Sequence, residues 1–570
     1  MPKAQKSSTQ DKPREWTLMF YFASDNPLAP GILSQLKSIQ QAGFHPEVNV
    51  VAQYDPYTER APLHVFDVNK IAKVTARKAD TPYQIGVKPN DAFDTFVPNL
   101  VLDKLWIEKE NVAMVKAAMG EPGANYQQPR PPNPFKKKKA NAADNGQEPG
   151  PRDSLESFIN FCHESYPARH YMLFILGHGL VVGNDMFLFD EHAAQRSLSL
   201  KDMGKLLSSF RKKVNKAGQE FEFLSLHSCS MSALEVAYEL QDTANYMLAS
   251  EGPAFVGSWP YRQILMRIFQ DVVEREPNVQ NTLKKIFSYC LHNSTDFQLA
   301  GYSFDLCLCN LSKVAQFKKP LSELSTTLAK AVPDRVAQEC ILLAHWDAQS
   351  YWGESYTDLY DFCLRLSKRC QEAQETSKAN GKLRAIQGAC DAVIKSLEPG
   401  EDKLIISSGI AGADYQYSHG LSVFFPWAEP GGKFWLEEYG AYRFNSGSSN
   451  TKWREFLSKY FASTIREPRG SESSAKGRSL RAPRREEILL DGMALRGTGS
   501  GGQLDGPPPE GGKGSGSDAT GKGSGSDATG KGSGSDATGA FGGTVIKNYP
   551  HFTLAQPKTN DKRRAVRKKR

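Results

Sequence analysis

Two short apolar runs, each leading into a reactive side chain, constrain this chain more than any other feature. Tyr171-Met172-Leu173-Phe174-Ile175-Leu176 leads into Gly177-His178-Gly179, and Phe221-Glu222-Phe223-Leu224-Ser225-Leu226 leads into His227-Ser228-Cys229. Runs this short, rich in aromatic and branched residues and fed from helical patterns, read as buried parallel strands. Neighbouring parallel strands deliver what lies at their carboxyl ends into one crevice, where open α/β sheets carry their chemistry. A histidine and a cysteine meeting there have the makings of a nucleophile and its base. A buried cysteine and a satisfied core histidine fit the same spacing, and spacing alone leaves both readings open.

The surrounding pattern predicts an α/β fold with a mostly parallel sheet flanked by helices. Residues 16–23 form the first strand, a helix follows near 32–41, and 48–54 is a second strand. Residues 64–68 with 73–78 suit a hairpin at the sheet edge. Asp153, with Glu156 three residues on, suits a helix cap, and Leu155, Phe158, Ile159 and Cys162 then share one face. Leu200, Met203, Leu206, Leu207 and Phe210 mark a second crossover helix over 199–210. The alternation of strand and helix predicts right-handed crossovers. Cys229 falls at a strand-to-helix junction, where free backbone N–H groups would favour a thiolate and hold an oxyanion. Gly179 would let a backbone N–H approach a carbonyl with no side chain in the way.

At 570 residues the chain exceeds one ordinary domain. Residues 1–15 read as a disordered N-terminus and 16–261 as the core. A polar, Pro- and Lys-rich insertion over about 120–152 cannot supply a packed core. Residues 262–461 mix helices with strands at 302–309, 404–408 and 420–425, as a second subdomain or a continuation of the sheet. Residues 462–570 form a Gly/Ser/basic tail, with three identical nonapeptides over 512–538 that read as a flexible linker. The net charge of +8 owes much to this end, so no general nucleic-acid surface is required. The basic terminus reads first as a solvated tail and second as a weak contact for a polyanion. Nine cysteines without a CxxC pair favour a reducing compartment. No segment has the length of a membrane span or the flanks of a signal peptide, so the expectation is a cytoplasmic, monomeric protein.

The chain from Trp16 to about Tyr460 resembles the clostripain-like (C11) cysteine peptidases, which have a caspase-like fold. The resemblance is carried by Asp25-Asn26, Tyr166-Pro167-Ala168, Leu176-Gly177-His178-Gly179, Cys229-Ser230-Met231, Ala249-Ser250-Glu251, Gly257-Ser258-Trp259-Pro260-Tyr261, Tyr356-Thr357-Asp358-Leu359 and Gly420-Leu421-Ser422-Val423-Phe424-Phe425-Pro426. It implies a His178–Cys229 dyad, oxyanion N–H groups from Gly179 and Cys229, a polypeptide substrate, and self-cleavage between the dyad residues. Arg196, Lys201, Arg211, Lys212, Lys213 and Lys216 are the basic positions there, with 211–216 expected in a polar loop. His227, Ser250, Glu251 and Trp259 are the expected substrate-binding residues. Relatives usually carry Asp two residues before the nucleophile to select Arg or Lys; here it is His227, and either the preference changes or an acid such as Glu251 takes over. Residues 180–183 are bulkier than the resemblance leads one to expect. Calcium is implied by resemblance alone, since no dense carboxylate cluster marks a site and no cofactor is assigned. A competing reading is an inactive interaction protein that keeps the fold. A more distant one is a metal protein using Cys307 and Cys309.

Overall fold

The computed structural model describes residues 13–26, 28–43, 45–55, 64–67, 150–179, 187–190, 192–193, 195–293, 302–351, 354–376, 381–430 and 434–464. Most of the insertion, the expected strand at 73–78, residues 180–183 and the tail with its nonapeptides lie outside the described residues.

Eleven strands are described: β1 (Arg14–Phe22), β2 (Val48–Tyr54), β3 (His64–Asp67), β4 (Ala168–Leu176), β5 (Glu220–His227), β6 (Tyr246–Ala249), β7 (Phe304–Asn310), β8 (Ser350–Tyr351), β9 (Tyr356–Asp358), β10 (Ile405–Ala411) and β11 (Ser422–Phe424). Eight of them form one sheet in the order β10-β7-β6-β5-β4-β1-β2-β3. The middle five run parallel, while β3 pairs antiparallel with β2, β7 with β6 and β10 with β7. β11, β9 and β8 make a small separate antiparallel sheet. The region after 262 extends the main sheet with β7 and β10 and builds the small second one.

The central strands are buried on both faces. Met19, Tyr21, Leu173 and Ile175 point into one core, and Leu18, Phe20, Phe22, Met172, Phe174 and Leu176 into the other. This is the period-two alternation of a strand read twice, and it explains why the runs are apolar throughout. Helices α1 (Ala29–Gln41), α5 (Tyr261–Glu274) and α6 (Val279–Asn293) supply apolar side chains to the second core. Helices α2 (Pro151–Ser165), α3 (Leu200–Lys216) and α4 (Leu234–Leu240) supply the first. That core continues into α7 (Val314–Ala331), α8 (Arg335–Asp347), α9 (Leu359–Thr376), α10 (Gly381–Leu397) and α11 (Trp453–Thr464).

Three local expectations are corrected. Helix α2 starts at Pro151, with Gly150 at its cap and no side-chain cap bond, so Pro151 and Arg152 leave the insertion and Asp153 sits in the first turn. Proline suits that first position because its missing N–H would be unpaired there anyway. Helix α3 is capped by Ser199, which accepts from Asp202 N at 3.1 Å, and continues to Lys216. The basic cluster 211–216 therefore lies on a helix, and Arg211 reaches Asn245 Oδ1 at 2.7 Å. Thirdly, Cys229 is not at a helix start: α4 begins only at Leu234 and is seven residues long.

Candidate active site

Strand register alone brings the two reactive residues together. Leu176 pairs with His227 across β4 and β5, so His178 and Cys229, each two residues further on, leave the sheet side by side. Gly179 is where the two chains come closest. A Cβ added there would lie 1.8 Å from Cys229 O and 2.7 Å from Cys229 N. Glycine is required here by the Cys229 backbone itself, a different reason from access for a substrate carbonyl.

The side chains are held on both flanks. The His178 ring meets Phe189 edge to face, centroids 6.3 Å apart, and Leu188 N donates to His178 O at 3.2 Å. Cys229 Sγ accepts from Ala254 N at 3.4 Å and donates to Ala254 O at 3.9 Å. His178 is 1% exposed and Cys229 2%.

The turn after Cys229 is made by Ser230 in the left-handed region, at φ 56°. Ser230 N donates to Gly252 O at 3.0 Å and Ser232 N to Ser250 O at 2.8 Å. Those two N–H groups are spent on the chain after β6, which removes them from the oxyanion role expected of a helix start.

The expected substrate-binding residues are all buried. His227 stacks on Trp259 at 4.0 Å, and its two nitrogens are both engaged. Nε2 lies 2.6 Å from Phe255 O and Nδ1 2.9 Å from Tyr261 Oη. A carbonyl only accepts, so Nε2 carries the proton and Nδ1 accepts from the tyrosine hydroxyl. Burial pushes the His227 pKa down to about 3, and the imidazole is neutral. Trp259 Nε1 donates to Ser225 Oγ at 2.9 Å, and Ser250 Oγ donates to Gly252 O at 3.1 Å. Glu251 Oε2 accepts from Gly420 N at 2.9 Å and from Tyr351 Oη at 3.2 Å. Burial, then the nearby Asp358 and Asp305, raise the Glu251 pKa well above the usual carboxylate range.

Several supporting residues carried no chemical signal in the sequence. Asn26 donates to Phe189 O at 2.8 Å, which steadies the residue packed on His178, and its Oδ1 accepts from Leu28 N. Asp25 Oδ1 lies 2.7 Å from His192 Nδ1. Asp305 accepts from Glu251 N and Gly252 N at 2.6 and 2.8 Å. The Asp25-Asn26 pair had at least a position, directly after the first strand; Asp305 had none.

The clostripain family profile matches residues 137–460, more than half of the chain. The chain belongs to the clostripain family. It is therefore a cysteine peptidase by family, and the paired strand ends lie inside the matched region. Among curated protein sequences none matches. Solved structures that it resembles include an inactive zymogen C11 protease from Parabacteroides distasonis, at 15% identity and TM-score 0.41 over 80% of this chain and 99% of that one. Another is a secreted C11 cysteine protease from Bacteroides thetaiotaomicron in complex with an irreversible peptide inhibitor, at 13% identity and TM-score 0.40 over 79% and 99%. The family assignment rests on the sequence match and not on these.

Among the described residues no group of three or more His, Cys, Asp or Glu side chains is placed to hold a metal ion. No described helix is long and apolar enough to cross a membrane.

The contact at Gly179 makes a direct prediction. Gly179→Ala forces its methyl into the Cys229 carbonyl, so the two strand ends must part. The expected cost is about 1–3 kcal/mol of stability, and, with Cys229 displaced, a fall in kcat/KM of about 10²-fold is expected. Urea denaturation and peptide hydrolysis measured on the same preparation check both.

Proposed function

We propose that this clostripain-family chain is an endopeptidase in which Cys229 is the nucleophile, His178 the general acid and base, and the residue before the cleaved bond is not basic. The single observation that supports the dyad is the register of β4 and β5, which sets His178 beside Cys229. The thiolate attacks the scissile carbonyl carbon. The backbone N–H groups of Gly179 and Cys229 are suited to receive the oxyanion, since their chains touch at this point. His178 gives its proton to the departing amine, leaving a thioester. It then takes a proton from water, which attacks the thioester carbonyl; the C–S bond breaks, the acid product leaves, and the thiolate and protonated His178 are restored.

The specificity reading follows from charge. A guanidinium or ammonium group is recognised by a carboxylate. His227 is neutral and engaged at both nitrogens. The Glu251 carboxyl, the stand-in acid, is turned to Gly420 and Tyr351, and burial favours its protonated form. A fluorogenic peptide library varied at P1 tests this. The expected profile favours uncharged residues; a dominant Arg or Lys preference overturns it. Self-cleavage at the basic positions fits this reading poorly, and those at 211–216 are also protected by helix α3. A cut at the exposed Arg196, found by N-terminal sequencing of stored protein, would count against an uncharged P1.

A reducing, cytoplasmic setting is supported by nine cysteines that are all buried free thiols. Cys340 neighbours Cys370, and Cys390 neighbours Cys363, and these are the pairs that oxidation would join first. Thiol titration of denatured protein taken from its native source is expected to find all nine free. A count short by both pairs would place the protein in an oxidising compartment instead.

A further inference from the structure

The loop carrying Cys229 is not held by its own short helix. Besides its backbone bonds to the chain after β6, it is held by a segment 188 residues away in sequence. Ser232 Oγ donates to Gly420 O at 2.5 Å, while Gly420 N donates to Glu251 Oε2 at 2.9 Å. Ser232 belongs to the chain after β5 and Glu251 to the chain after β6. One residue, Gly420, therefore joins both to the segment leading into β11, through its N–H on one side and its C=O on the other.

The surroundings leave Gly420 little freedom. Gly420 sits at φ 112°, a conformation that favours glycine, and an added Cβ would lie 2.8 Å from Cys307 Sγ. Ser422 N donates to Ser232 O at 3.1 Å, and Phe424 N to Glu235 Oε1 at 3.1 Å. Asp305 fixes the Glu251 backbone from the opposite side. Ser232 and Glu251 are both fully buried.

We infer that Ser232 and Glu251 are positioning residues, which grip the Gly420 backbone between them and so anchor the Cys229 loop and the loop after β6, already joined by their own backbone bonds, to the segment before β11. The inference rests on Cys229 being the nucleophile. In this role Glu251 serves as a hydrogen-bond acceptor, and its charge is not needed. The raised Glu251 pKa agrees with that, but the geometry carries the argument.

Paired substitutions in the full-length chain separate this from an anionic subsite. Glu251→Gln keeps an acceptor for Gly420 N, and Ser232→Thr keeps the hydroxyl; Glu251→Ala and Ser232→Ala remove them. With the peptide that wild type cleaves best, both alanine variants are expected to lose about tenfold or more in kcat with KM little changed, while Gln and Thr restore most of it. Hydrogen exchange at the amides of 228–235 rises in the alanine variants only. If Glu251→Gln is as impaired as Glu251→Ala and KM rises for Lys or Arg peptides, Glu251 is an anionic subsite and the inference falls. It also falls if Ser232→Ala, the gentler change, leaves both kcat and exchange as in wild type. Should wild type cleave no peptide, the peptidase reading fails by itself, and the exchange measurements still decide whether the grip exists.

Discussion

Cys229→Ala is expected to abolish peptide hydrolysis, with kcat/KM falling on the order of 10⁴-fold or more. The substitution removes the atom that forms the thioester and disturbs little else. Its structural cost is the lost Sγ contact with Ala254 N, about 1 kcal/mol for one buried hydrogen bond. His178→Ala removes the proton shuttle and is expected to lower kcat by about 10²–10⁴-fold. The double variant should be scarcely worse than Cys229→Ala, because the two act as a unit. Hydrolysis of the fluorogenic library, with circular dichroism to confirm folding, gives all three comparisons. A folded Cys229→Ala protein with wild-type turnover would end the dyad assignment and favour the scaffold reading.

His227→Asp, the change that would restore the usual family residue, is expected to destabilise the protein by about 3 kcal/mol rather than install basic specificity. An aspartate there would point an acceptor toward Phe255 O, where the imidazole Nε2 now donates at 2.6 Å. The carboxylate would also be buried against Trp259 and Phe255 without a cation. His227→Gln is the contrasting case, since its amide can donate to Phe255 O and accept from Tyr261 Oη. At pH 8 it should match wild type within about 1 kcal/mol.

The two should separate in acid. With a native pKa of about 3 against an unfolded value of 6.5, His227 takes up a proton only in the unfolded chain between those limits. Wild type then loses stability as pH falls from 6.5, by about 1.4 kcal/mol per pH unit relative to the glutamine variant. Glu235 and Asp305 act in the other direction. Burial holds both near pKa 7, so the stability they confer is present below their unfolded values and is lost as pH rises through 7. The difference between wild type and His227→Gln cancels these terms. Urea denaturation at a series of pH values measures it, and parallel curves would refute a buried neutral imidazole at 227.

Much of the core and the juxtaposition of His178 and Cys229 was legible because both depend on local pattern. The apolar runs at 171–176 and 221–226 had to be buried strands, and Leu200, Met203, Leu207 and Phe210 had to be one face of a helix. Strand length and pairing then left His178 and Cys229 no choice but to emerge together. The helix over 211–216 was misread because its residues are charged, yet its last turn needs only the α3 core contacts of Phe210 and Val214 to persist. The start at Pro151 was missed because its polar neighbours blend into the insertion.

What a sequence cannot display is pairing between distant polar groups. Whether His227 faces a substrate or a tyrosine, whether Glu251 is a charged pocket or a buried acceptor, and what holds the loop after Cys229 all turn on residues 28 to 190 positions away. Hydrophobic period determined which strands are buried and where their ends lie. Only the tertiary structure decided which hydrogen-bond partners those ends meet, and burial among those partners is what sets the charge of each group.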